Sequence, residues 1–184
     1  PNRVLQLDGI KSWVELPTNI FAHLTEATVE AWVKWEALQE HPEVFVFGRA
    51  TNSINLFNEK ASSALWFSIY SQFARTNLAR RSSIHVDGLL RTNTWIHLAA
   101  LSGRSGMKLY ANGMLVGEHT NSISFADLGV RQTNHVGWGL FLGQIDEFRV
   151  WRVARTGEDL RRDMVRKLTG REENLAGLWN FDDA

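Results

Sequence analysis

The 184-residue chain contains no cysteine, which excludes disulfides and thiolate metal sites. Its formal net charge is zero, with 20 basic and 20 acidic side chains. It therefore lacks the electrostatic footprint of a general nucleic-acid or membrane-surface binder. No run approaches the roughly eighteen apolar residues needed to span a bilayer. No amino-terminal signal segment is recognisable. Pro1 is not an initiating residue, so a processed chain or a domain excised from a larger protein is expected. The six histidines show no His-Glu-x-x-His spacing, and no Gly-x-Ser-x-Gly elbow occurs. Internal repeats and low-complexity linkers are absent as well.

What is present is a β-protein. The clearest stretch is residues 94–120. Ile96 and Leu98 alternate with Trp95 and His97, the polar loop from Ser102 to Gly106 follows, and a second alternating run ends at Asn112-Gly113. Asn-Gly between apolar runs signals a type I′ hairpin, because that turn needs positive φ at both central residues. The segment reads as an antiparallel meander. Further strands are expected at residues 4–7, 13–16, 28–35, 43–49, 53–57, 64–70, 135–138, 144–151 and 175–181, with 71–93 irregular and 121–133 a loop. One helix stands out, at about 157–168. Thr156 is a good N-cap with Asp159 at the third helical position. Leu160, Met164 and Leu168 form one apolar stripe, and Gly170 supplies the stop. A dozen short strands with one helix predict an all-β, two-sheet antiparallel sandwich or jelly roll formed by residues 1–184 as a single domain. The length is enough to bury a core without staples.

Five blocks carry a family resemblance. They are Leu5-Gln6-Leu7-Asp8-Gly9, Thr28-Val29-Glu30-Ala31-Trp32-Val33, Trp95-Ile96-His97-Leu98-Ala99, Leu109-Tyr110-Ala111-Asn112-Gly113, and the run from Gly143 to Trp151. Their order resembles that of LamG-like jelly-roll domains of the concanavalin A-like lectin/glucanase superfamily. The terminal Gly177-Leu178-Trp179-Asn180-Phe181-Asp182 resembles an edge element of the same family. The resemblance implies two antiparallel sheets packed face to face, with one outer face commonly binding ligand. It also implies an extracellular or cell-surface setting, appended to other domains.

On that architecture the alternation divides the strands. Val29, Ala31, Leu65, Phe67, Leu98 and Leu109 point to the core. Glu30, Trp32, Trp66, Tyr70, His97 and Tyr110 point outward, and they are the candidate ligand-binding set if their strands share a sheet. The eight tryptophans favour a stacking platform for sugars or other flat ligands. The competing reading packs these rings beneath residues 71–93, since large apolar patches are rarely left bare.

Two further sets carry charge. Some relatives hold a calcium ion, which here would draw on Asp8, Asp146 and Asp182, although calcium takes about six to eight oxygens. No cofactor is otherwise required. Arg75, Arg80 and Arg81 suit the planar oxyanions of an acidic or sulfated glycan, or they form a solvated loop.

Catalysis is not expected. Retaining glycoside hydrolysis needs two carboxyl groups about 5 Å apart. The glucanase relatives place them in a Glu-x-Asp-x-x-Glu run. The nearest run here, from Gln144 to Arg149, has Gln and Arg in the two glutamate positions. The expected function is a non-catalytic recognition module for an extracellular carbohydrate or protein ligand. The alternatives are a structural spacer or adhesion domain with no small ligand, and a glycan-cleaving enzyme.

Overall fold

A computed structural model describes residues 2–49, 51–71, 81–129 and 132–182. Two antiparallel sheets pack face to face. The first, sheet A, contains β1 (Leu5–Asp8), β3 (Ala27–Trp35), β8 (Ile96–Ser102), β9 (Met107–Ala111), β10 (Met114–His119), β12 (Leu142–Trp151) and β13 (Leu175–Trp179). Its order is β1-β12-β3-β8-β9-β10, with β13 pairing the second half of β12. The second, sheet B, contains β2 (Val14–Leu16), β4 (Glu43–Arg49), β5 (Asn52–Asn58), β6 (Leu65–Tyr70), β7 (Arg81–Val86) and β11 (Thr133–Trp138). Its order is β2-β11-β4-β5-β6-β7.

Strand alternation sets which side chains meet between the sheets. Val29, Ala31 and Leu98 from sheet A, with Leu109, face Leu65 and Phe67 from sheet B, and all six are buried in one core. Phe21, Phe45, Phe47, Phe125 and Phe148 fill the same layer. The meander of residues 94–120 forms β8, β9 and β10 with the expected pairing.

Two expectations change. Residues 81–86 form β7, where the sequence leaves irregular chain. Ile84 and Val86 give little apolar signal, but the backbone pairs with β6 from Leu65↔Val86 to Tyr70↔Arg81, and a neighbouring strand overrides weak local propensity. The helix α1 spans Gly157–Asp163 and stops short of residue 168. Thr156 and Asp159 form its capping box as expected. Its last turns are opened because side chains of sheet A take the carbonyls of Asp163, Met164 and Arg166. The short apolar piece in the loop before β11 is a single 3-10 turn, Phe125–Leu128.

Candidate ligand-binding site

The structure divides the six outward residues between the two sheets. Glu30, Trp32, His97 and Tyr110 lie on the outer face of sheet A, and Trp66 and Tyr70 on that of sheet B. The two groups do not share a surface. Strand alternation identifies the face of each residue, but strand pairing decides the sheet, and that is a long-range property.

On sheet A the four lie under α1. Leu160 packs on Ala99, Leu101 and Tyr110, a fully buried leucine contributing about 2 kcal/mol. Trp32 Nε1 donates to the Met164 carbonyl at 2.7 Å. Glu30 and His97 are each 1% exposed. Glu30 Oε1 accepts a 2.8 Å bond from Trp151 Nε1, and His97 Nε2 stands 3.4 Å from Glu30 Oε2. Burial raises the Glu30 carboxyl, but the contact with His97 and the Arg149 and Arg155 charges outweigh it and hold the group below its ordinary value. The Leu160 and Trp32 contacts tie the helix segment to the sheet, and the Glu30 contacts join β3 to β8 and β12 beneath it.

On sheet B the outer face is ordered by strand register into three rows. One row runs Trp138, Glu43, Phe57, Trp66, His85 across β11, β4, β5, β6 and β7. The next runs Glu15, His135, Val46, Asn55, Ser68, Ser83 from β2 to β7. The third ends in Ser53, Tyr70 and Arg81. Aromatic rings thus flank a polar row. Trp66 stacks on His85 with ring centroids 4.0 Å apart. The Arg81 guanidinium lies 5.0 Å from the Trp66 ring and 5.3 Å from that of Tyr70.

Between the rings, Asn55 Nδ2 donates to Glu43 Oε1 at 2.7 Å. Burial pushes the Glu43 carboxyl up to about 7, against the opposing effect of the Asn55 hydrogen bond. Asn55 is 8% exposed, and its Oδ1 accepts no hydrogen bond among the described residues. Burial lowers His135, opposed by Glu15.

The aspartates have other occupations. Asp8 Oδ1 accepts from the Ser12 hydroxyl and from the backbone N–H groups of Ile10, Lys11 and Ser12, and these bonds hold its carboxyl well below the usual range. Asp146 accepts from Asn2 Nδ2 and the Glu147 N–H. Asp182 accepts from Lys167 Nζ and the Arg3 N–H. Among the described residues no group of three or more His, Asp or Glu is placed to hold a metal ion. Of the three arginines, Arg75 and Arg80 lie outside the described residues. Arg81 spends its guanidinium on the rings and on a 2.9 Å bond to Ser83 Oγ.

The profile of the concanavalin A-like lectin/glucanases superfamily, in its laminin G form, matches residues 8–161. The chain belongs to this superfamily. A protein of Bacteroides ovatus ATCC 8483 proposed to bind carbohydrate superposes with a TM-score of 0.70 at 19% identity, over 94% of this chain and 50% of that one. Domain 4 of AbnA, an extracellular arabinanase of the GH43 class from Geobacillus stearothermophilus, solved with arabinotriose, superposes with a TM-score of 0.64 at 25% identity, over 86% and 75%. Mouse pappalysin-1 is 26% identical over 89% of this chain, which spans only 11% of its length. These matches are to binding domains or to parts of larger proteins.

Within this laminin G-like domain, the sequence reading missed Glu43, Asn55, Phe57 and His135. Their signal was alternation in β4, β5 and β11, where Ser53, Asn55 and Phe57 share a face. It became readable as a site only when the register aligned those strands with β6.

Proposed function

We propose that the domain is a non-catalytic carbohydrate-binding module whose ligand lies on the outer face of sheet B. The carrying observation is that α1 and the turn after it pack on Tyr110 and Trp32 of sheet A, whereas on sheet B the half-buried Trp66 and Tyr70 stand around Glu43, Asn55, Ser68 and His135 among the described residues. Rings for stacking with a few convergent polar groups form the usual composition of a sugar site. Asn55 Oδ1 is an acceptor that a sugar hydroxyl would suit. Domain 4 of AbnA, with its arabinotriose, adds support for a neutral oligosaccharide of this class. An extracellular setting as one module of a longer chain is part of the same reading.

Catalysis is not part of it. Glu30 and Glu147 are hydrogen-bonded beneath or beside α1, and Glu43 has no second carboxylate on its row. The test is binding of the purified domain to a printed array of defined glycans, arabino-oligosaccharides included, beside Trp66→Ala. The expected result is binding by the intact domain that falls at least tenfold in the variant. No binding to any glycan, or unchanged binding by Trp66→Ala, would overturn the proposal.

A further inference from the structure

The row that carries Trp66 continues to a second aromatic cluster at the β2–β11 edge. Trp138 pairs in register with Glu43, which pairs with Phe57, which pairs with Trp66. Three inter-strand spacings separate the two tryptophans along this row, about 14 Å. Trp13 meets Trp138 edge to face, with centroids 4.7 Å apart and an interplanar angle of 71°. His135 stacks on Trp138 at 4.4 Å.

These rings remain in solvent, with Trp13 44% and Trp138 37% exposed. With Ile10, Leu140, Lys11 and Ser12 they line a cleft of about 180 Å³. That is below the 300–1,000 Å³ or so of a pocket for a drug-sized ligand, and it suits one ring with polar substituents better than a helix or a protein surface. The cleft is held open in advance. Asp8 Oδ1 gathers the N–H groups of Ile10, Lys11 and Ser12 at 2.9–3.1 Å, and the Gly9 N–H donates to the Phe141 carbonyl at 3.1 Å. A preformed wall spares the ordering cost that weakens loop-borne sites.

We infer that the Trp13–Trp138 cleft is a second sugar-stacking subsite, and that the ligand is an oligosaccharide laid across the strands, with one ring on Trp66 and another on Trp138. This inference rests on the carbohydrate reading above. The Lys11 ammonium supplies hydrogen-bond donors at the distal ring, and Glu43 lies beneath the rings between. The ligand class is then defined by length as well as by chemistry. A disaccharide reaches one platform, and a chain spanning about 14 Å engages both.

The experiment uses the same array, with each backbone present from disaccharide to hexasaccharide, and compares the wild type, Trp138→Ala, Trp138→Phe and Trp66→Ala. The wild type should bind the longer members at least tenfold more tightly than the disaccharide of the same linkage. Trp138→Ala should lose that gain, while Trp138→Phe keeps most of it. Trp66→Ala should weaken every length. Matched thermal unfolding of the variants excludes a folding defect as the cause. Length dependence that is absent, or that survives in Trp138→Ala, overturns the second subsite and leaves the Trp66 site standing. An array on which the wild type binds nothing overturns both.

Discussion

Arg149 on β12 holds the carbonyl of Asp163, the last residue of α1, through a 2.9 Å bond from its guanidinium. The same group reaches the Arg166 carbonyl at 2.7 Å and the Glu147 carboxylate at 2.8 Å, and stands 3.5 Å from Glu30. Arg149 is 1% exposed. A helix end leaves its last carbonyls without partners, and here one buried cation satisfies the final one and a carbonyl of the following turn while neutralising the carboxylates below. Breaking a buried ion pair by removing one partner costs about 3–5 kcal/mol, because the other charge is left uncompensated. Arg149→Met should therefore lower the unfolding free energy by about 3–5 kcal/mol. Adding Glu147→Gln should recover part of the loss by deleting one orphaned charge. Urea denaturation of the three proteins checks both. A loss below about 1 kcal/mol for Arg149→Met would show that the cluster does not anchor the helix.

The Asn112-Gly113 turn has two roles. Asn112 and Gly113 have φ of 49° and 73°, as the hairpin turn demands. Asn112 Oδ1 also accepts the His97 N–H at 2.9 Å, and the Gly113 carbonyl accepts Arg161 Nη1 at 2.7 Å. A Cβ at Gly113 would fall 2.3 Å from Arg161 Cγ. Gly113→Ala combines the cost of positive φ with displacement of the helix side chain seated on the turn. The expected loss is about 1–3 kcal/mol. Pairing it with Arg161→Ala should give a total smaller than the sum of the two single losses, because the clash disappears with the side chain. Additive losses would mean that Arg161 moves aside at no cost.

The sequence makes one of these roles readable and hides the other. Alternation in Trp95–Leu101 and the Asn-Gly pair are local signals that predict the meander, and the same alternation in the other strands predicts the six core positions. That Arg161 would sit on Gly113, or that Arg149 would draw the chain out of helix before Met164, depends on residues 48 and 14 positions apart. Local periodicity holds no information about such contacts. The same limit explains the candidate site. Trp66 and Tyr70 were legible as outward residues of one strand. Glu43 and Asn55 joined them only through the pairing of β4 with β5 and of β5 with β6. The tryptophan count was informative, but it did not separate Trp35, buried in the core with Nε1 on Asn58 Oδ1, from exposed Trp138.

Glu43 makes stability depend on pH in a direction opposite to that of most carboxylates. Burial raises its carboxyl to about 7 in the folded protein, from an ordinary value of 4.5. The folded state therefore binds more protons than the unfolded chain between those values, and stability falls as pH rises through that window. The contribution is fully present below pH 4.5 and is lost once the folded group ionises above about pH 7. Glu43→Gln keeps a polar partner for Asn55 and removes the ionisation. Relative to the wild type, the variant should gain about 3 kcal/mol between pH 4 and pH 8. Urea midpoints measured across that range check the slope. A difference that stays flat, or that shrinks as pH rises, would mean that the Glu43 carboxyl is not held neutral by its place in the face.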